Sequence, residues 1–187
     1  MREGGRAGGT GLPAAPSLVP LPEEYLPEYC RKRVLVLGVG NILYGDDGFG
    51  PAVIDELARR GRLPDDVCLV DAGTGARKQL FTLALSERRP ELIIVIDAVD
   101  KGREAGEIFE IELDEIPFEK TDDFSMHQVP TSNLLKELAE TGNLRVRVLV
   151  CQVSGIPDEI APGLSPPLEA AVGRLASMLE DRMLADA

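Results

Sequence analysis

Acidic side chains and the only histidine of the chain occupy positions from which they could bind a metal ion or activate water. Asp46 and Asp47 follow a buried apolar run, Asp97 ends another such run, and His127 precedes a helical segment. Carboxylates combined with an imidazole suit a divalent transition metal, and the same groups can position a water for general-base attack. Because adjacent side chains rarely point the same way, we expect only one of the two neighbouring aspartates to face a site.

Further polar residues follow the same apolar runs and are candidates for substrate contact or loop support. They are Asn41, Asp46, Asp71 and Thr74. We expect Asn41 to support the loop that carries Asp47, and Asp71 and Thr74 to shape the rim of the site. The alternative for each acid is an ordinary structural role, as a polar strand end, a turn residue or a helix cap.

Alternation of apolar and polar segments predicts the elements that position these residues. In residues 107–113, the predicted fourth strand, apolar and polar residues alternate, which is typical of an edge strand with one face exposed to water. The order of the elements predicts an α/β fold with a largely parallel sheet and helices on both faces. Ligands of such sheets bind beyond the carboxyl ends of the strands, where the acids lie. The predicted strands are 33–40, 67–71, 92–97, 107–113 and 145–154, and the predicted helices are 48–60, 75–86, 131–141 and 166–184.

The length of 187 residues suits one domain. We expect residues 1–30 to be a Gly/Pro-rich N-terminal extension and residues 31–187 to be a single domain. The net charge of −12 argues against a nucleic-acid partner, which would require a basic face. No apolar run is long enough to span a membrane, and residues 1–22 lack the apolar core of a signal peptide.

The three cysteines are widely spaced and form no CxxC motif, so neither a disulfide scaffold nor a zinc ribbon is expected. This usage fits a reducing cytoplasm. Cysteine catalysis requires a cysteine paired with histidine, whereas Cys68 and Cys151 lie within predicted strands. A Ser-His-Asp triad is also disfavoured, because the chain has no GxSxG nucleophile elbow.

Two other kinds of site compete with a metal or hydrolytic site. Gly38-Val39-Gly40 resembles the start of a dinucleotide-binding GxGxxG loop, but Leu43 stands where that motif has its third glycine. The negative charges of the two aspartates that follow would also repel a bound pyrophosphate. A receiver-type phosphoacceptor would place a lysine at the end of the fifth strand, where Gln152-Val153-Ser154 stands. A non-catalytic metal-sensing or nucleotide-binding α/β module remains a further alternative.

Four segments in order resemble the hydrogenase maturation endopeptidase family. They are VLVLGVGNILYGDDGFG at 34–50, DAGTG at 71–75, IIVIDAV at 93–99 and MHQ at 126–128. Within the family, the stretch from His127 to Pro130 is most similar to the protease for the deazaflavin-reducing hydrogenase of methanogens. The resemblance implies a three-layer α/β/α sandwich with a twisted, mostly parallel five-stranded sheet.

The resemblance also implies an activity and a site. An aspartic-type peptidase of this family removes the C-terminal extension of a nickel-iron hydrogenase large-subunit precursor after nickel insertion. By motif match, the catalytic and metal-contacting residues are Asp47, Asp97 and His127. The nickel belongs to the precursor, which is the protein partner, and is not a permanent cofactor. We also expect a monomer or a small homo-oligomer in the cytoplasm, with no nucleic-acid or membrane partner.

Overall fold

The computed structural model describes residues 25–113, 129–141 and 144–185. Its strands are β1 (Val34–Val39), β2 (Val67–Gly73), β3 (Leu92–Val99), β4 (Ile108–Ile111) and β5 (Arg145–Gln152). Its helices are α1 (Glu28–Arg31), α2 (Phe49–Arg60), α3 (Ala76–Leu85), α4 (Val129–Thr141) and α5 (Pro166–Ala185). Within the described residues, no helix has the length and apolar character to cross a bilayer.

The five strands form one sheet in the order β2-β1-β3-β5-β4. β2, β1, β3 and β5 run parallel, and β4 pairs antiparallel with β5 at one edge. The predicted fold class and the edge position of the fourth strand are therefore confirmed. Helices alternate with the parallel strands because a parallel connection needs a crossover element.

Both faces of the sheet are covered by apolar clusters, as the continuous apolar runs indicate. Val34 and Val36 of β1 face the cluster formed with α2 and α5. Leu35 and Leu37 face the opposite cluster, which contains side chains of α3 and α4. Because successive residues of a strand point to opposite faces, one apolar run contributes to both layers.

The described core begins slightly ahead of the predicted boundary between residues 30 and 31. Cys30 is completely buried, and Leu26 and Tyr29 pack against the same cluster as α3 and α4. Burial of these side chains on the edge of the sheet makes α1 part of the folded domain.

Two strands and one loop differ from the prediction in ways that bear on the site. β3 continues two residues past Asp97, and β2 continues two residues past Asp71, so neither aspartate is a strand terminus. The predicted loop from Asn41 to Asp47 contains a 3₁₀ turn, Gly45–Gly48, which leads directly into α2. The turn fixes the direction in which its two aspartates point.

The start of α2 lies against the carboxyl ends of β1 and β3 at backbone contact distance. A Cβ atom added at Gly50 would lie 2.3 Å from the Val39 carbonyl oxygen and 2.5 Å from that of Ile96. A Cβ at Gly38 would lie 2.6 Å from the Gly50 carbonyl oxygen. Only glycine permits this approach, which brings the 3₁₀ turn to the rim of the sheet.

We expect Gly50→Ala to lower the free energy of unfolding by at least about 2 kcal/mol, because the new methyl group meets fixed backbone atoms. Denaturant unfolding followed by circular dichroism measures this change. Gly173→Ala is the matched control, since the nearest atom to its new methyl group is the Arg60 Nη2 at 3.7 Å. That helical substitution should be neutral or stabilising by up to about 1 kcal/mol. Equal effects at both positions would contradict the close-contact interpretation.

Candidate functional site

The loop between β1 and α2 is folded around Asp47. The Asn41 backbone amide donates to the Asp47 Oδ2 at 2.8 Å and to the Asp47 carbonyl oxygen at 3.1 Å. The Asn41 side-chain Oδ1 accepts from the Leu43 amide at 3.1 Å. Gly40 has a φ of 134°, and a Cβ there would lie 1.8 Å from the Asp47 carbonyl oxygen. Asn41 and Gly40 thus hold Asp47 partly exposed at the rim.

Asp46 has different partners from its neighbour, and its carboxylate points into the protein. It is only 2% exposed. Its Oδ2 accepts from the Ser154 amide at 2.8 Å and the Ser165 hydroxyl at 3.0 Å, and its Oδ1 accepts from the Ser165 amide at 2.7 Å. Asp46 therefore ties the loop to the segment after β5 and to the residue before α5.

Asp97 lies near the carboxyl end of β3 and is partly exposed. Its Oδ1 accepts from the Ala98 amide at 2.8 Å. It alternates in step with Ile93 and Val95, so its side chain leaves the sheet on the face that α3 and α4 cover. The 3₁₀ turn that carries Asp47 packs against β3. The structure therefore brings Asp47 and Asp97 to adjoining parts of one rim.

Asp71 is not brought onto the face of Asp97. Gly38 of β1 pairs with Asp71 on one side and with Ile96 on the other. Since Asp97 is one residue beyond that row, the two aspartates leave opposite faces of the sheet. The Asp71 Oδ1 accepts from the Gly73 amide at 2.9 Å. Asp71 and Thr74 are both exposed where β2 ends.

His127 lies outside the described residues, so its place in the site stays a prediction. Among residues 25–113, 129–141 and 144–185, no group of three His, Cys, Asp or Glu side chains is close enough to hold a metal ion. The chain re-enters the structure at Val129, two residues after the histidine, as the start of α4. Leu135 and Leu138 of that helix pack on the face to which Asp97 points.

Gln152 is a buried residue that orders the loop after β3, a role that the sequence did not reveal. Its buried side-chain amide donates to the Asp100 Oδ1 at 3.0 Å, and its Oε1 accepts from the amides of Lys101 and Arg103 at 2.8 and 3.2 Å. The hydrogen bond from Gln152, followed by that from the Gly102 amide, lowers the pKa of Asp100. Gln152 thereby holds the loop that follows β3, and the only sequence signal was an amide side chain near the end of an apolar strand.

The cysteines do not offer a nucleophile. Cys30, Cys68 and Cys151 are all buried and free. Burial raises the pKa of each thiol, and that of Cys151 to about 11. A neutral buried thiol is neither a good nucleophile nor a metal ligand. Among the described residues, the carboxylates at the rim can contact a metal or orient a water.

Comparison with known proteins places the whole chain in a family. A family model described as hydrogenase maturation protease matches residues 51–182. A candidate hydrogenase maturation protease from Methanocaldococcus jannaschii is 39% identical over 151 residues, 80% of this chain and 95% of that protein. The coenzyme F420 hydrogenase subunit delta of Methanothermobacter thermautotrophicus is 37% identical over 155 residues, 81% of this chain and 94% of that protein.

A solved structure has the same fold. The hydrogenase maturating endopeptidase of Escherichia coli superposes with a TM-score of 0.62 at 28% identity, covering 83% of this chain and 94% of that one. The family model covers well over half of the sequence, and the methanogen relatives align over most of their length. By sequence and by fold, this chain belongs to the hydrogenase maturation protease family.

Proposed function

We propose that this protein is an endopeptidase that removes the C-terminal extension of a nickel-iron hydrogenase large-subunit precursor. Family membership supports the reaction class. The observation that carries the proposal on this chain is the position of Asp47 and Asp97, two partly exposed carboxylates on adjoining parts of one rim. The Escherichia coli relative is a hydrogenase maturating endopeptidase, which supports the same substrate class here.

Nickel enters the proposal as part of the substrate. Asp47, Asp97 and His127 would contact a nickel ion that the precursor already holds. Oxygen and imidazole ligands suit such a borderline ion, and three ligands with open coordination positions resemble an exchangeable site more than a closed structural one. The precursor would thus be recognised only after nickel insertion.

The proposed chemistry is aspartic. With the precursor docked through its nickel, the scissile peptide lies beside a carboxylate, and we assign Asp97 to orient the attacking water. The carboxylate accepts a proton as water adds to the peptide carbonyl, and returns it to the departing amine. The Ala98 amide holds the Asp97 Oδ1, which leaves the carboxylate in a fixed orientation.

We further propose that the substrate is the large-subunit precursor of a coenzyme F420-reducing hydrogenase and that cleavage takes place in the cytoplasm. The relative named coenzyme F420 hydrogenase subunit delta supports the first part of this assignment. The free thiols of Cys30, Cys68 and Cys151 support the second, because reducing compartments keep such thiols unpaired.

We expect Asp47→Asn and Asp97→Asn each to slow cleavage of nickel-loaded precursor by about 100-fold or more. Each amide can still accept the backbone hydrogen bond of the aspartate that it replaces, so the charge is lost with little change in the loop. Mass spectrometry of the precursor measures the loss of a defined C-terminal mass.

Asp55→Asn, an exposed acid on α2, is the matched control and should cut at the wild-type rate. Wild-type rates for both rim variants would show that the carboxylates are wrongly assigned. Wild-type protein that binds the precursor without changing its mass would favour the alternative, a non-catalytic metal-sensing module.

The nickel step has its own test. Precursor purified from nickel-depleted cells should be cut at least about tenfold more slowly than the same precursor loaded with nickel, because the carboxylates would lose their shared ion. Adding nickel to the depleted precursor should restore cleavage. Efficient cleavage without nickel would remove the metal from the proposal and leave the peptidase assignment standing.

Thiol reagents should leave cleavage intact. With a pKa of about 11, only about 0.1% of Cys151 is thiolate at pH 8 in the folded protein. Iodoacetamide should therefore label all three cysteines rapidly in denaturant and only slowly in buffer, as peptide mass spectrometry would show. Rapid inactivation of the folded enzyme by this reagent would point to a cysteine mechanism instead.

A further inference from the structure

Four branched aliphatic side chains stand exposed beside the site. Ile42 and Leu43 are 61% and 44% exposed, and Ile156 and Ile160 are 48% and 67% exposed. They belong to two loops, one between β1 and α2 and one between β5 and α5. We call these four residues the apolar platform. Single exposed aliphatic residues are ordinary, whereas a group of them on adjoining loops marks an interaction site.

The two loops are joined through their backbones. The Ala161 amide donates to the Leu43 carbonyl oxygen at 2.9 Å, and the Gly45 amide donates to the Ala161 carbonyl oxygen at 2.9 Å. This is one parallel bridge, with Tyr44 opposite Ala161. The residues one position earlier on each side, Leu43 and Ile160, are both platform residues. The bridge therefore sets the two halves of the platform side by side.

The platform rests on a rigid base. Asp46 binds the backbone amides of Ser154 and Ser165, which flank the second loop. A Cβ at Gly45 would lie 3.0 Å from the Pro157 Cδ, so the loops are also in close packing contact. A surface that is held before binding loses little conformational entropy when a partner docks.

The platform is continuous with the candidate site. Ile42 and Leu43 lie between Asn41, whose amide holds the Asp47 carboxylate, and the 3₁₀ turn. A Cβ at Gly48 would lie 3.0 Å from the Ile42 Cα, so the backbone of the first loop touches the turn itself. A chain whose scissile bond lies at the rim would therefore extend directly over the platform.

The charge beside the platform indicates the chemistry of its partner. Asp158 and Glu159 are exposed between Ile156 and Ile160, on a chain whose net charge is −12. An acidic margin around apolar side chains favours a segment that has apolar residues next to lysine or arginine.

We propose that the apolar platform docks the segment of the large-subunit precursor next to the cleaved bond, and that this segment carries apolar side chains flanked by basic ones. This inference rests on the proposed function and adds the surface that selects the protein substrate. The carboxylates at the rim act on the bond, and the platform supplies affinity for the chain around it.

The test compares the double variant I156S/I160S with the single variant L85S. Leu85 is 73% exposed on α3, away from both loops, and is the matched control for the loss of exposed apolar surface. The rate of cleavage is measured against the concentration of nickel-loaded precursor. The double variant should raise the half-saturating concentration by about tenfold or more, with the saturated rate within about twofold of wild type. L85S should match wild type in both.

A second arm removes the acidic margin. The variant D158N/E159Q should flatten the dependence of half-saturation on salt, because fewer charge contacts remain to be screened. The inference is overturned if I156S/I160S and wild type show the same half-saturation. It is also overturned if that variant only converts a dimer of the isolated protein to a monomer, in which case the platform binds a second copy.

The outcome for docking is separate from that for the proposed function. Sedimentation of wild type and I156S/I160S with nickel-loaded precursor measures docking without cleavage. Precursor that binds wild type, fails to bind the double variant and is never shortened would refute the peptidase and retain the docking surface. Precursor that both proteins shorten at the same rate at concentrations below half-saturation would refute the docking surface and retain the peptidase.

Discussion

The buried carboxylate of Asp46 is the interaction on which the arrangement of the site depends. Removing a charge from water is unfavourable unless hydrogen bonds replace the lost hydration. Here two backbone amides and one hydroxyl, from Ser154 and Ser165, supply those bonds. These partners lie 108 and 119 residues further along the chain. One side chain thus joins the loop after β1 to the ends of two later elements, and the rim has a fixed shape.

This constraint separates the roles of two adjacent aspartates. Because Asp46 turns inward to its three donors, Asp47 is left at the surface, where the Asn41 amide orients its carboxylate. The close contact of Gly50 with the Val39 and Ile96 carbonyl oxygens brings the same turn against β3. A carboxylate held by a backbone amide on a rigid turn is already oriented for a ligand, so little reorganisation is needed on binding.

Local patterns predicted the fold well. The parallel strands are continuous apolar runs because both of their faces are buried, and the edge strand alternates apolar with polar residues. Strand ends were less predictable. β3 runs on past Asp97 to Val99 because β5 is long enough to pair with it, through Val150 opposite Asp97 and Gln152 opposite Val99. That length depends on a segment 53 residues away along the chain, which no local pattern contains.

The site was predictable where its residues sit in a local motif and unpredictable where they depend on distant partners. That acids lie near the carboxyl ends of β1 and β3 followed from topology, whereas the choice of Asp47 and Asp97 among them came from the resemblance to the family. The inward turn of Asp46 did not, because its donors come from the far end of the chain. The opposite faces of Asp71 and Asp97 follow from strand register, which requires knowing that Gly38 pairs with both Asp71 and Ile96.

In the proposed function, two modest contacts combine to give selectivity. A nickel ion carried by the precursor can be contacted only by partly exposed groups such as Asp47 and Asp97, and a short tail can bury only part of the platform. Neither contact need be strong, because a chain held at one site meets the adjoining site at high effective concentration. A precursor that lacks nickel, or a nickel protein that lacks a suitable tail, would make only one of the two contacts. Cleavage then requires both features in one molecule, and the rigid loops set by Asp46 hold the two sites at a constant spacing.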